Sequence, residues 1–320
     1  MKVTAKAPAN IAFIKYWGKK DEKLRIPANS SISMNLSEAY TVTSVESNEK
    51  FNNDEIFIDG EKLAGKDLER LSKHINLIRS KTKNKTFVRV DSKNNFPKGA
   101  GIASSASGFA ALTVATSRAF GLNLSEKELS ILARLGSGSA CRSIPDGFVE
   151  WRRGDKNENS YAYSLYPPEY WNIYDVIAIV GEKGKKVSST EGHALAESSP
   201  FYKSRIQGMP KKIQEMKLAM KSRDFTKFGE ILEAEAINMH CVMMTSEPPL
   251  FYWLPETLEM MQTIVDWREK GLEVYFTIDA GPNVHVICEE RNVIKVRRGL
   301  KPLGIKRIIV NKPAKGAELI

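Results

Sequence analysis

Between Pro97 and Ala115 the chain reads PKGAGIASSASGFAALTVA, a run of very small residues that empties into an apolar one. Gly99 and Gly101 allow left-handed backbone and let a main chain come close to a ligand. Ser104, Ser105 and Ser107 can cap a helix start, and the residues from Phe109 to Ala119 continue that helix. A helix start offers unpaired N–H groups and the positive end of the helix dipole, so the stretch has the chemistry of a phosphate cradle. No GK[ST] follows, which excludes the P-loop, and G-x-G-x-x-G is incomplete, which excludes the dinucleotide fingerprint. The same small residues suit a tight helix–helix contact, and spacing alone leaves both readings open.

Elsewhere strands and helices mix without strict βαβ alternation, which points to an α+β architecture. Residues 39–46, 55–60, 86–90, 148–153, 161–166 and 175–180 read as strands, and 66–82 and 125–135 as helices. Ser125 and Glu128 form an S-x-x-E capping box ahead of the second helix. Helical stretches over 199–221, 224–243 and 255–270 follow, then strands over 273–279, 283–288 and 306–311 with a helix over about 290–300. A soft division near residue 181 separates an N-terminal α+β domain (1–181), which carries the glycine-serine loop, from a C-terminal one (182–320). A ligand is expected in the cleft between them.

Composition narrows the function classes. An apolar content of 42% in 320 residues supports sizeable cores. No apolar run reaches the length of a membrane span, and the N-terminal stretch has no signal-peptide pattern, so a cytoplasmic protein with no membrane partner is expected. Cys141, Cys241 and Cys288 are far apart and odd in number, and His74, His193, His240 and His285 show no metal-ligand spacing. The formal charge of +10 favours anionic partners. The basic residues are spread along the chain instead of forming a groove, which argues for a small anionic substrate and against nucleic acid.

Three further stretches join the glycine-serine loop: APANIAFIKYWGKKDE (7–22), RLGSGSACRS (134–143) and IDAGPNV (278–284). PKGAGIASSASG resembles the phosphate loop of the superfamily that holds galactokinase, homoserine kinase, mevalonate kinase and phosphomevalonate kinase. The other three, in this order, are similar to the signature segments of the diphosphomevalonate decarboxylase family. The resemblance implies a two-domain superfamily fold with the active-site cleft between domains, and a homodimer. It implies loss of CO₂ and a 3-phosphate from a phosphorylated mevalonate, after an ATP- and Mg²⁺-dependent phosphorylation at C3.

Residue by residue, the resemblance implies that Lys15, Arg142 and Asp279 are catalytic. Asp279 acts at the C3 hydroxyl, and Arg142 grips the substrate carboxylate. Tyr16, Lys19, Ser137, Ser139, Ser189 and Thr190 bind substrate. Lys98, Gly99, Gly101, Ser104, Ser105 and Ser107 hold the nucleotide. From the residues alone, the lysines of IAFIKYWGKK also suit the solvated edge of an amphipathic strand, Arg142 suits a structural ion pair, and Asp279 suits a carboxylate capping its own turn.

Three segments depart from the family pattern: Lys98 stands for a threonine, Asp146 for a glycine in SIPDGFVEW, and SSTEGH carries Glu191 and His193. In relatives that last segment lies at the 5-phosphate end. A carboxylate from Glu191 there would disfavour a diphosphate, giving the expectation of a single 5-phosphate. An ATP-dependent phosphomevalonate decarboxylase, an ATP-independent mevalonate 3,5-bisphosphate decarboxylase and a small-molecule kinase without decarboxylation are the alternatives.

Overall fold

β1 (Lys2–Ile14) lies inside the molecule, and every residue from Ala7 onward is buried. The segment read as an amphipathic edge is therefore the end of a central strand. On one side β1 pairs with the long β4 (Ser31–Asn48), on the other with β14 (Glu318–Leu319), both antiparallel. The β1–β4 register shifts between Pro8 and Asn10 and again between Ala12 and Ile14. Irregularities of this kind bend a strand and re-aim its side chains, and here they fall just before Lys15.

The computed structural model describes residues 1–96, 104–181, 187–305 and 307–320. Outward from β4 the first sheet continues through β7 (Phe87–Asn94), β5 (Glu55–Ile58) and β6 (Glu61–Lys62). β8 (Phe148–Trp151) pairs with the start of β4, and β9 (Ala162–Tyr166) with β8. A small ribbon of β2 (Lys19–Asp21) and β3 (Ile26–Pro27) leaves the end of β1. Against one face pack α1 (Gly65–Arg79), α2 (Ser104–Ala119) and α3 (Glu126–Gly136), around Ala7, Val45, Ile75, Phe109 and Leu132. The capping box read from Ser125 and Glu128 is formed, with both reciprocal bonds present.

A second sheet runs β11 (Val274–Thr277), β12 (Val284–Glu289), β10 (Ile173–Ile179), β13 (Arg307–Asn311), all antiparallel. β10 thus belongs with the C-terminal strands, although a division at residue 181 would group it with the first half. Its apolar residues, Ile173 to Ile179, pair on both sides with strands that arrive more than a hundred residues later, which local pattern does not reveal. The helices of this half are α4 (Ser189–Leu195), α5 (Tyr202–Ser222), α6 (Phe225–Met244), α7 (Pro255–Glu269) and α8 (Val293–Leu300). α4 is absent from the sequence reading; its seven residues are too few for a periodic signal.

One apolar core joins the two sheets: Phe13, Ile32 and Phe148 from the first meet Ile177, Phe228, Tyr275 and Ile287. α6 sits on this core so closely that a Cβ on Gly229 would fall 2.0 Å from the Tyr275 ring. Gly229→Ala is expected to destabilise the protein by about 1–3 kcal/mol through overpacking, although alanine is the better helix former. A urea midpoint equal to or above that of the wild type would contradict this packing.

Candidate active site

A cavity of about 190 Å³ opens where the end of β1, the start of α2, the turn after α3, α4 and the loop after β11 converge. Lys15, which follows β1, and Asp279, in the loop between β11 and β12, meet there with Nζ donating to Oδ1 at 2.6 Å. Lys15 is 1% exposed. Burial pulls its ammonium below the ordinary lysine value, while Asp279 and Glu235 oppose the shift. Burial resists ionisation of Asp279, but the charges of Lys15, His285 and Arg142 outweigh it, and the carboxyl lies below its ordinary value. The proton of the pair stays on the lysine, which leaves Asp279 a carboxylate.

The surroundings fix both partners. The Lys15 N–H donates to Glu235 Oε1 at 3.1 Å, and its carbonyl accepts from Asn29 Nδ2 at 3.0 Å. Glu235, fully buried on α6, also takes Arg205 at 2.5 Å and Lys212 at 2.7 Å. The Asp279 carbonyl accepts from Gly281 N–H at 2.7 Å and lies 3.2 Å from His240 Nε2. Burial, then the charge of Lys15, pushes His240 down to about 3, so the ring is neutral and donates to that carbonyl.

Arg142 stands on the short 3₁₀ turn Gly138–Ser143 and lines the same cavity. Among the described residues its guanidinium is held by neutral acceptors: Asn10 Oδ1 at 3.1 and 3.2 Å, Ser33 Oγ at 3.1 Å and Ser31 Oγ at 2.8 Å. It is not the structural ion pair that the residue type also allowed. Its charge stays uncompensated by any bonded carboxylate and available to an anion. Asn10, which the sequence reading missed, grips the turn again through Nδ2 to Ser143 Oγ at 2.8 Å and Ser139 O at 3.2 Å.

Ser137 and Ser139 line the cavity with Ser104 and Ser105 of the first turn of α2, and Ser137 Oγ bonds Ser105 Oγ at 3.2 Å. Ser107 does not join them. It is fully buried and bonds Thr41 Oγ1 at 2.7 Å, because it stands two residues after Ser105, on the opposite side of the helix, which packs on β4. Lys98, Gly99 and Gly101 lie outside the described residues.

Tyr16, Trp17, Lys19, Arg25, Ser189, Thr190 and His193 complete the wall. Lys19 is buried and pairs at 2.6 Å with the exposed Glu22. Arg25 is absent from the sequence reading, and His193 appears there as a departure from the family pattern, not as a site residue. Arg25 is the sharper omission: its φ of 50° and its bond to Leu135 O follow from the β2–β3 ribbon, which has no strong local pattern.

Glu191 does not face the cavity. Its carboxylate closes a capping box on Ser188, accepting from the backbone N–H at 2.9 Å and the hydroxyl at 2.8 Å. That removes the electrostatic ground for expecting a single 5-phosphate. Asp146 likewise has a structural partner, accepting from Gly316 N–H at 2.6 Å and tying down the C-terminal segment.

Residues 7–162 match the model of the diphosphomevalonate decarboxylase-like N-terminal domain, and residues 175–310 that of the mevalonate 5-diphosphate decarboxylase C-terminal domain. The chain belongs to the diphosphomevalonate decarboxylase family. Among its relatives, the diphosphomevalonate decarboxylase of Ganoderma lucidum is 35% identical over 92% of this chain and 80% of its own length. The crystal structure of mevalonate diphosphate decarboxylase from Staphylococcus aureus superposes with a TM-score of 0.96 at 39% identity, covering 100% of this chain and 98% of its own. A structure of MDDEF in complex with MVAPP, AMPPCP and magnesium gives 0.94 at 38% identity, covering 100% and 99%. Among the described residues no helix is long and apolar enough to cross a membrane.

Two stability predictions follow from the burial of this family member's charges. Replacing Glu235 by Gln leaves the Arg205 charge buried without its counter-ion and is expected to cost about 3–5 kcal/mol in chemical denaturation; a loss below about 1 kcal/mol would show the cluster to be solvated. His74 and His240 are both pushed down to about 3 by burial, with positive neighbours adding to it. Below the unfolded value near 6.5, the unfolded chain binds protons that the folded chain refuses. Stability is therefore flat above that value and falls on acidification, by up to about 1.4 kcal/mol per pH unit per histidine. The urea midpoint should drop between pH 7 and pH 5, and less steeply in His74→Gln; parallel curves would refute the linkage.

Proposed function

We propose that this chain catalyses the ATP-dependent decarboxylation of mevalonate 5-diphosphate to isopentenyl diphosphate, with release of CO₂, phosphate and ADP. The observation that carries this reading is the Lys15–Asp279 ion pair facing one cavity with Arg142 and with the hydroxyls of Ser104 and Ser105. A kinase without decarboxylation needs the serines, the helix start and a base such as Asp279, but need not keep beside them a buried Arg142 whose bonded partners leave its charge free to grip a carboxylate.

The roles follow from charge and position. Asp279, ionised, accepts the hydrogen bond of the C3 hydroxyl and takes its proton as that oxygen attacks the terminal phosphorus of ATP. Ser104, Ser105 and the first N–H groups of α2 hold phosphate oxygens. Magnesium would enter with the nucleotide phosphates beside Ser104 and Ser105, whose hydroxyl oxygens are of the ligand type it takes. Bound there, it would neutralise phosphate charge.

In the second half-reaction the C3–O bond breaks and the phosphate leaves with its electron pair. The bond from C2 to the carboxyl carbon breaks, and its electrons form the C2=C3 double bond as CO₂ departs. Arg142 directs two parallel N–H groups at the substrate carboxylate and holds it in line. Asp279 faces the electron-poor C3, and Lys15 stabilises the departing phosphate. Tyr16, Lys19, Ser189 and Thr190 hold the 5-diphosphate. Burial raises the Tyr16 phenol, which keeps it a neutral donor to a phosphate oxygen.

CO₂ release is the test. Mevalonate 5-diphosphate and 5-phosphate are each given with and without ATP, and mevalonate 3,5-bisphosphate is given alone. Release is expected from the diphosphate with ATP; release from the bisphosphate alone, and from nothing else, would overturn the kinase step. Asp279→Asn is expected to lower turnover by about 10²–10³-fold or more while retaining wild-type circular dichroism. An Asn variant with near-normal turnover would remove Asp279 from the chemistry.

A further inference from the structure

The cavity wall carries Lys19, Arg25 and His193 as well as Arg142 and the Lys15–Asp279 pair. The charges of Lys19, Arg25 and Arg142 act on His193, whereas Asp279 feels Lys15, His285 and Arg142. The side chain of His193 has no part in the roles assigned above.

Three contacts fix its ring. Tyr16 stacks at 4.1 Å between centroids with a 33° tilt, and Trp17 at 4.5 Å with a 32° tilt. The Gly18 N–H donates to Nδ1 at 3.0 Å. Gly192 lets α4 approach, since a Cβ there would sit 2.7 Å from the Trp17 ring. An Nδ1 that accepts a hydrogen bond carries no proton, so the neutral ring has its proton on Nε2. Burial first, and then the charges of Lys19, Arg25 and Arg142, hold the ring well below the ordinary histidine value and keep it neutral.

Nε2 has no hydrogen-bond partner among the described residues, although the ring is only 8% exposed and lines the cavity. A ring packed against Tyr16 and Trp17, with one nitrogen occupied, has only its Nε2–H left to donate. The chemistry that such a donor recognises beside Lys19 and Arg25 is an anionic oxygen.

We infer that His193 is a binding residue for the 5-diphosphate end of the substrate, donating Nε2–H to a phosphoryl oxygen as a neutral, directional contact beside the lysine and arginine charges. The inference rests on the substrate reading above and adds a specificity residue to it. A cation attracts any anion from a range of directions, whereas a fixed N–H selects the oxygen that lies on its axis.

The test compares His193→Phe, which keeps an aromatic ring in the clamp without a donor, with His193→Gln, whose amide can place an N–H near the Nε2 position. Calorimetric titration of the full chain with mevalonate 5-diphosphate, and competition by inorganic pyrophosphate, report on the diphosphate end. In His193→Phe both affinities are expected to fall about 10- to 100-fold, the range for one lost hydrogen bond to a charged partner. The affinity for an ATP analogue should change less than about threefold. His193→Gln should recover most of the loss.

Unchanged affinity for mevalonate 5-diphosphate in His193→Phe overturns the inference. So does a Gln variant as weak as Phe, which would make the ring a packing element, or a loss for the substrate with none for pyrophosphate, which would move the contact to the carbon skeleton. The readout is binding, so a wild-type chain that binds the diphosphate but releases no CO₂ overturns the proposed reaction alone, and one that binds nothing overturns both.

Discussion

The cavity is organised by a charge pair whose members lie 264 positions apart in sequence. Lys15 follows the first strand and Asp279 lies in one of the last loops, so the pair forms only once both sheets and their shared core are in place. Burying a lone ammonium or carboxylate in such a core is strongly unfavourable. Asp279, whose side chain keeps 25% exposure, makes the burial of Lys15 tolerable, and the charge of Lys15 in turn keeps the carboxylate ionised.

Around this pair the other charges are sorted by what may neutralise them. Glu235 is covered by Arg205 and Lys212 and takes the Lys15 N–H as well, so its charge is used up inside the protein and braces the main chain of Lys15. Arg142 is treated the opposite way: its partners are an amide oxygen and two hydroxyls, which position the guanidinium without cancelling it. The net result is a cavity whose wall, among the described residues, carries Lys15, Lys19, Arg25 and Arg142 against one carboxylate, Asp279. The formal charge of +10 for the chain is consistent with anionic partners in general; this local imbalance is what makes the preference specific.

Much of this was legible in the sequence. Strand and helix positions came from local pattern, and Lys15, Arg142, Asp279, Ser104, Ser105, Ser137 and Ser139 came from the family resemblance of four short segments that the fold brings to one wall. What escaped has physical reasons. Asn10 sits where the β1–β4 register shifts, and a register shift leaves no mark on composition. Ser107 was grouped with Ser104 and Ser105 because three serines in a row of small residues look alike, yet helical geometry turns the third toward β4. β10 was placed with the first half because its pairing partners come after four helices and are invisible to any local window.

Glu191 is the instructive case, because the signal that explains it was present. Ser188 and Glu191 have the same S-x-x-E spacing as Ser125 and Glu128, which were read as a capping box. Judged by charge alone, Glu191 argues against a diphosphate; judged by its spacing, it is a helix-start residue whose oxygens are already engaged. The reciprocal bonds of the box turn it out of the cavity and leave His193, two residues on, as the side chain of α4's second turn that reaches the wall. The electrostatics of that end then reverse: in place of a repelling carboxylate there are a lysine, an arginine and a neutral N–H, all suited to oxygen atoms carrying negative charge. Local hydrogen-bond geometry, by deciding which of two neighbouring side chains faces the ligand, fixes the sign of the field that the substrate meets.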